Sequence, residues 1–221
     1  MGLLIAPTLL DSFKWLKTCP PSWREKAYAD IKGTLGREPF APTPAIQAGI
    51  DFEKRVYQLA NNPYRNEIKM SDKFAYVLTK VSGYKFGQSS QHTINVDGVD
   101  YFIKNRYDAI KEDHIIDIKT TGNFRGEEQF LSKWQSKFYP FFSQIPDMTF
   151  LVVEWQEPSK YVIGNVYEVP IHVHDFSLVE EEIKVGIREF IAYLDMDDTL
   201  SELYYTKYNM YGTNKKYLAL V

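Results

Sequence analysis

A single cysteine, Cys19, stands in 221 residues. One thiol closes no internal disulfide and supplies neither a cysteine-ligated zinc site nor an iron–sulfur cluster. Long apolar runs are lacking as well. The opening MGLLIAPTLL has no basic leader and meets Asp11 too soon for a signal peptide or a membrane span. Gly2 invites N-myristoylation, but Ala6 stands where that signal needs Ser or Thr. There is no glycine-rich phosphate loop of the motor type, no Ser-His-Asp or Cys-His spacing, no internal repeat and no low-complexity tract. Excess positive charge is also missing. Lys and Arg number 26 against 29 Asp and Glu, for a net charge of -3 and a pI near 5.9. That weighs against a domain that coats nucleic acid by bulk charge. The expectation is a soluble cytoplasmic protein.

What is present fits one globular domain: 44% apolar and 25% charged residues in 25.8 kDa. Aromatics reach 15%, with 16 Tyr and 14 Phe; core, oligomer interface and stacking surface are all open uses for them. Residues 8–32 carry helical spacing (Leu9, Phe13, Leu16), with Thr8 or Asp11 as cap. The Cys19-Pro20-Pro21 step breaks them, and Ser22 caps a second helix. Residues 33–44 read as a loop. Thr43 and Pro44 then open a strong helix to about Asn61. Its apolar arc gathers Ile46, Gly49, Ile50, Phe52, Val56, Tyr57, Leu59 and Ala60, and Glu53 lies inside that arc. A carboxylate buried there must be paired, protonated or metal-bound, whereas Asp51 points to solvent.

A helix over 71–82, strands over 91–96 and 101–110 around the Asp97-Gly98 turn, and a strand over 114–120 follow. A single helix starts at Glu127, and Pro140 must kink or end it. Strands over 148–155 and 161–173, the latter broken at Gly164, precede a helix over 177–194 and a tyrosine-rich tail, 201–221. The order gives an α/β sandwich: a helical extension and loop (1–44), a core (45–175), then a C-terminal helix and tail (176–221).

The stretch YFIKNRYDAIKEDHIIDIKTT, residues 101–121, carries the sharpest chemical signal. Period-two alternation puts Asp117 and Lys119 on one face. A four-residue turn, 111–114, sets Ile110 against Ile115 and Asp108 against Asp117. Facing carboxylates repel unless positive charge lies between them, and a divalent metal is one such charge. Carboxylates hold hard cations through oxygen for phosphodiester hydrolysis, and an adjacent lysine can orient water and stabilise charge on phosphate. The plain alternative for Asp117–Lys119 alone is an exposed polar strand face.

These residues resemble the PD-(D/E)XK nuclease superfamily, and within it the RecB-like exonucleases. The match runs through GIDFE (Gly49 to Glu53), Asp108, Asp117-Ile118-Lys119, and QSKFY (Gln135 to Tyr139), in family order, over roughly residues 9–155. Even LLDSFKWLKTCPPSW looks like the family's N-terminal helix with its Cys-Pro step. The resemblance implies a restriction-endonuclease-like core, a central mixed sheet flanked by helices. It implies Glu53, Asp108 and Asp117 as catalytic metal ligands for magnesium or manganese, with the Ile118 carbonyl a further ligand. Lys119 becomes the catalytic lysine, and Gln135 and Tyr139 position substrate or support the ligands. Asn105 stands where members often carry glycine, and it tolerates left-handed backbone next best. Without cysteines the chain is a member lacking the iron–sulfur cluster that some relatives hold.

The expected function is a metal-dependent deoxyribonuclease, an exonuclease of recombination or repair. The resemblance adds a phage-like source, a bacterial or phage-infected cell, and a recombinase, single-strand-binding protein or helicase as partner. Oligomerisation, an endonuclease or RNA-acting nuclease of the same fold, and a non-catalytic nucleic-acid-binding module stay open. Elsewhere, His172 and His174 share a strand face without a third metal ligand, a surface pattern. His114 lies at the turn beside the site, near phosphate or simply solvated. The tail YYTKYNMYGTNKKY either stacks bases between cations or packs against the body or a second subunit.

Overall fold

The Asp97–Gly98 turn has φ of 52° and 83°, the paired left-handed backbone that matches strand twist in a two-residue hairpin. In the computed structural model, which describes residues 2–39 and 41–209, it joins β2 (Lys85–Val96) to β3 (Val99–Ile110). β2 runs antiparallel to β3 along its whole length. β1 (Gly2–Ile5) pairs parallel with residues 100–103 of β3, and β4 (Ile115–Thr121) pairs antiparallel with Ala109 and Ile110. β1 and β4 therefore take the same edge of β3 at opposite ends. β5 (Asp147–Glu157) lies parallel to β4, and β6 (Val162–His172) antiparallel to β5. Among the described residues this makes one mixed sheet of six strands.

Helices cover both faces, so the central strands must be apolar on both sides. Met148, Phe150 and Val152 of β5 join one core, and Leu151, Val153 and Trp155 join the other. The first core is roofed by α1 (Pro7–Thr18), α2 (Arg24–Gly36), α6 (Gln135–Ser143), α7 (Phe176–Leu194) and α8 (Asp198–Lys207). The second lies under α3 (Pro44–Ala60) and α4 (Asp72–Lys80). Thr43 Oγ1 accepts from the Ile46 N–H, and Pro44 sits in the first turn, the start signal expected for α3. Among the described residues no helix is long and apolar enough to cross a membrane.

Several expectations are corrected. β1 occupies residues assigned from the sequence to the helical extension (1–44). α1 begins at Pro7 with no side-chain cap, and Ser22 lies in a short 3-10 turn instead of capping α2. α2 runs through Gly33 to Gly36, into the expected loop, and Arg37 in left-handed backbone closes it. β2 starts six residues before Gln91. The helix expected from Glu127 is two: α5 (Glu128–Leu131) and α6, which continues past Pro140 to Ser143. The tail forms α8, whose Tyr204 is fully buried, so its described part packs on the body; residues 210–221 of that tail lie outside the described residues. Asn105 sits in β3 with ordinary extended backbone, so the left-handed reason for it does not apply.

Candidate active site

The site forms where two paired strands separate. β3 and β4 pair at Ile110–Ile115 and Ala109–Ile116, and the recorded ladder stops there. The next step sets Asp108 across from Asp117. In place of a ladder bond, the Ile118 N–H donates to Asp108 Oδ2 at 2.8 Å. The carboxylate thus fills the mouth of a fork in the sheet, and groups from both helical layers reach it. From α3, Tyr57 donates its hydroxyl to Asp108 Oδ1 at 3.0 Å. Glu53, one helical turn before Tyr57 and on the same side, lies 3.9 Å from the Arg106 guanidinium.

Asp117 is 1% exposed and carries the other half of the site. Lys119 Nζ lies 2.6 Å from its Oδ2, an ion pair between two residues on one face of β4. From α6, Gln135 Nε2 donates to Asp117 Oδ1 at 3.3 Å and to the Tyr139 hydroxyl at 2.9 Å. α6 is itself tied down from α1, because Asp11 Oδ1 accepts from the Trp134 N–H at 2.9 Å. An acidic acceptor at a helix N-terminus satisfies an orphan donor and meets the positive end of the helix dipole.

Burial and crowding of like charge set the electrostatics. Burial, then the charges of Asp117 and Glu53, push Asp108 up to about 8, against the opposing pull of Lys119 and the Ile118 N–H. Asp117 is also raised, chiefly by burial, although Lys119 works against the shift. Burial pulls Lys119 down, but the charges of Asp117 and Asp108 outweigh it and leave its pKa raised, so the ammonium keeps its proton at neutral pH. Burial raises Tyr57 as well, followed by the charge of Asp108 and a hydrogen bond with Glu53. That keeps its hydroxyl a donor.

The structure brings Glu53, Asp108, Asp117, Lys119, Gln135 and Tyr139 to one place. Glu53 is not buried: its side chain is 32% exposed at the rim. The stripe of α3 that enters the core is Ala48, Phe52, Val56 and Ala60, while Ile46 and Ile50 are exposed. Gln135 and Tyr139 are buried at 7% and 5%, with Gln135 set between Asp117 and the Tyr139 hydroxyl. Ile118 turns its side chain into the core beneath α3. Asp51 is engaged by Gln47 and Tyr161 and is not a free solvent-facing acid.

Among the described residues no three Asp, Glu, His or Cys side chains stand assembled as a metal cage. Lys119 occupies Asp117, and Tyr57 occupies Asp108.

Tyr57, Arg106 and Asp11 belong to the neighbourhood without having been singled out from the sequence. Tyr57 had a signal, its four-residue spacing from Glu53; Asp11 and Arg106 had none. His114 is neither near the acidic pair nor solvated. It is half-buried between the Tyr84 hydroxyl and Thr149 Oγ1, at 3.0 and 3.1 Å, and lines a separate cavity with Lys80 and Glu168. His172 bonds Asp147 at the exposed end of β6.

No family model matches the chain, and no curated protein matches it. Two solved structures superpose on it in part. The crystal structure of SSO0001 superposes with a TM-score of 0.50 at 18% identity, covering 84% of this chain and 75% of that one. An alkaline exonuclease (LHK-Exo) from Laribacter hongkongensis superposes with a TM-score of 0.49 at 14% identity, covering 92% and 91%. The first likeness extends to the fold alone.

Proposed function

We propose that the chain is a metal-dependent deoxyribonuclease of the RecB-like branch of the PD-(D/E)XK superfamily, an exonuclease acting in DNA recombination or repair. The observation that carries this reading is the pairing of Asp108 and Asp117 at the fork, with Lys119 on Asp117. Two carboxylates crowd a buried site whose native charge balance is strained, which is the donor chemistry a hard divalent cation relieves. Asp108, Asp117 and Glu53 would hold magnesium or manganese, with the Ile118 carbonyl as a further oxygen. Bound there, such an ion supplies Lewis acidity and lowers the pKa of water.

The chain's own groups have separate duties. Gln135 holds Asp117 in place and is itself braced by Tyr139. Tyr57 fixes the orientation of Asp108 through its hydroxyl. Lys119, protonated and pointing at the same mouth, donates to a non-bridging phosphate oxygen or to the attacking water once Asp117 no longer monopolises it. It cannot serve as a general base at neutral pH, because its environment keeps the proton on.

Incubation of the protein with linear and circular DNA, single- and double-stranded, and with RNA, under magnesium, manganese or EDTA, tests the reading. Loss of linear DNA with circles left intact is expected. Cleavage of circles points to an endonuclease, cleavage of RNA to an RNA-acting enzyme of this fold, and binding without cleavage to a non-catalytic module.

A further inference from the structure

The seam between α1 and the α5–α6 segment opens twice. One cavity, of about 490 Å³, lies beside the acidic site and includes Asp11, Lys119, Lys133 and Gln135. The next, of about 330 Å³, lies further along the same two elements and includes Phe13, Lys14, Lys17, Trp134 and Lys137. Two cross-links hold the seam between them. Asp11 takes the Trp134 N–H, and Lys14 Nζ donates to the Ser132 carbonyl at 2.8 Å. Five lysines and two carboxylates line the pair of cavities, in a chain whose net charge is -3. Lys17 pairs with Glu189, Lys137 with Glu182 and Lys119 with Asp117, while Lys14 and Lys133 share the charge of Asp11, so the five lysines outnumber the four carboxylates that meet them by one.

We infer that this seam is a track for a single strand of nucleic acid, its phosphates lying along the lysines and its reacting end at Lys119. The inference rests on the nuclease reading for what happens at the end of the track, but not for the binding itself. Local lysine clusters bind polyphosphate whatever the sign of the whole protein, because affinity comes from releasing condensed counterions. Cavities of about 330 and 490 Å³ are of the size that takes small ligands, which suits the nucleotides of one strand. A competing basic cavity, about 480 Å³ with Arg55, Lys69 and Lys160, lies across the sheet under α3 and includes no residue of the acidic site.

The test is binding of a fluorescently labelled oligothymidylate, read by anisotropy in EDTA over a salt series, so that cleavage plays no part. Lys14→Met with Lys17→Met removes two charges and keeps the aliphatic stems. A loss of at least tenfold in affinity is expected, with the slope of log affinity against log salt reduced by about one to two. Lys69→Met with Lys160→Met is expected to bind as the wild type does. Thermal melts show whether each variant folds, and Lys17→Met alone, which leaves the Lys14–Ser132 link intact, is expected to show the same loss in smaller measure. Unchanged binding and slope in the folded Lys14/Lys17 variants overturns the track, and so does a loss confined to the Lys69/Lys160 variant or tighter binding of duplex than of single strand. An oligouridylate arm separates DNA from RNA. A protein that binds the strand through Lys14 and Lys17 but cleaves nothing under any metal keeps the track and removes the nuclease.

Discussion

Asp108 accepts the Ile118 N–H across the point where β3 and β4 stop pairing, so a side chain takes the place of a rung of the sheet. The fork this makes lets Tyr57 and Glu53 arrive from the α3 layer while Gln135 arrives from the α6 layer. It also confines Asp108 and Asp117 to one buried mouth, which is why their protons are hard to remove.

That confinement sets a pH dependence for the metal-free protein. Asp108 is raised from 3.8 to about 8. Between those values the folded chain keeps a proton that the unfolded chain has released, so the group's contribution to stability is full at acid pH and is lost as pH rises through about 8. In EDTA the melting temperature of the wild type is expected to fall between pH 6 and 9, with a shallower fall in Asp108→Asn. Added magnesium should restore the wild type at pH 9 and leave Asp108→Asn less changed, because a ligand stabilises only the fold that binds it. Identical pH slopes in the two proteins contradict this.

Gly49 is pressed against β4 beside Lys119. A Cβ there would lie 2.5 Å from Thr120 Oγ1. Gly49→Ala is expected to cost about 1–3 kcal/mol of stability by overpacking. Thr120→Ala in the same chain should recover most of that loss. Denaturant melts of the two single variants and the double close the cycle, and additive losses would show that the contact is not the cause.

Tyr204 of α8 is fully buried and donates to the Leu4 carbonyl of β1 at 3.2 Å. Tyr204→Phe is expected to cost about 1 kcal/mol, the worth of a buried hydrogen bond. Tyr204→Ala should cost about 3–5 kcal/mol through the cavity it leaves. A neutral Tyr204→Ala in urea unfolding would mean that α8 is an appendage and not part of the core.

Much of this was legible because it was local. Thr43-Pro44 announced α3, Asp97-Gly98 announced the hairpin, and the four-residue turn fixed the Asp108–Asp117 register. β1 was not legible: Gly2–Ile5 is four residues followed by Ala6 and Pro7, and only its pairing with residues 100–103 makes it a strand. The break before α6 depends on Asp11, an acceptor 123 residues away in sequence. Glu53 was placed near the site for a reason that fails. The wheel's apolar arc took in Ile46 and Ile50, which are exposed, and left out Ala48, which is buried, and that rotation leaves Glu53 32% exposed at the rim.

Under the proposed function, Asp117 and Lys119 form the working edge of a phosphodiesterase. The most direct measurement compares hydrolysis of labelled linear DNA by the wild type and by Lys119→Met, with magnesium and with EDTA, alongside a melting curve for each. Removal of one preorganised hydrogen-bond donor from a transition state typically costs about 10²–10³ in rate. Cleavage by the wild type in magnesium, none in EDTA, and a loss of that size in a folded Lys119→Met are expected. Equal cleavage by the two proteins, or cleavage by the wild type in EDTA, would contradict the proposed function.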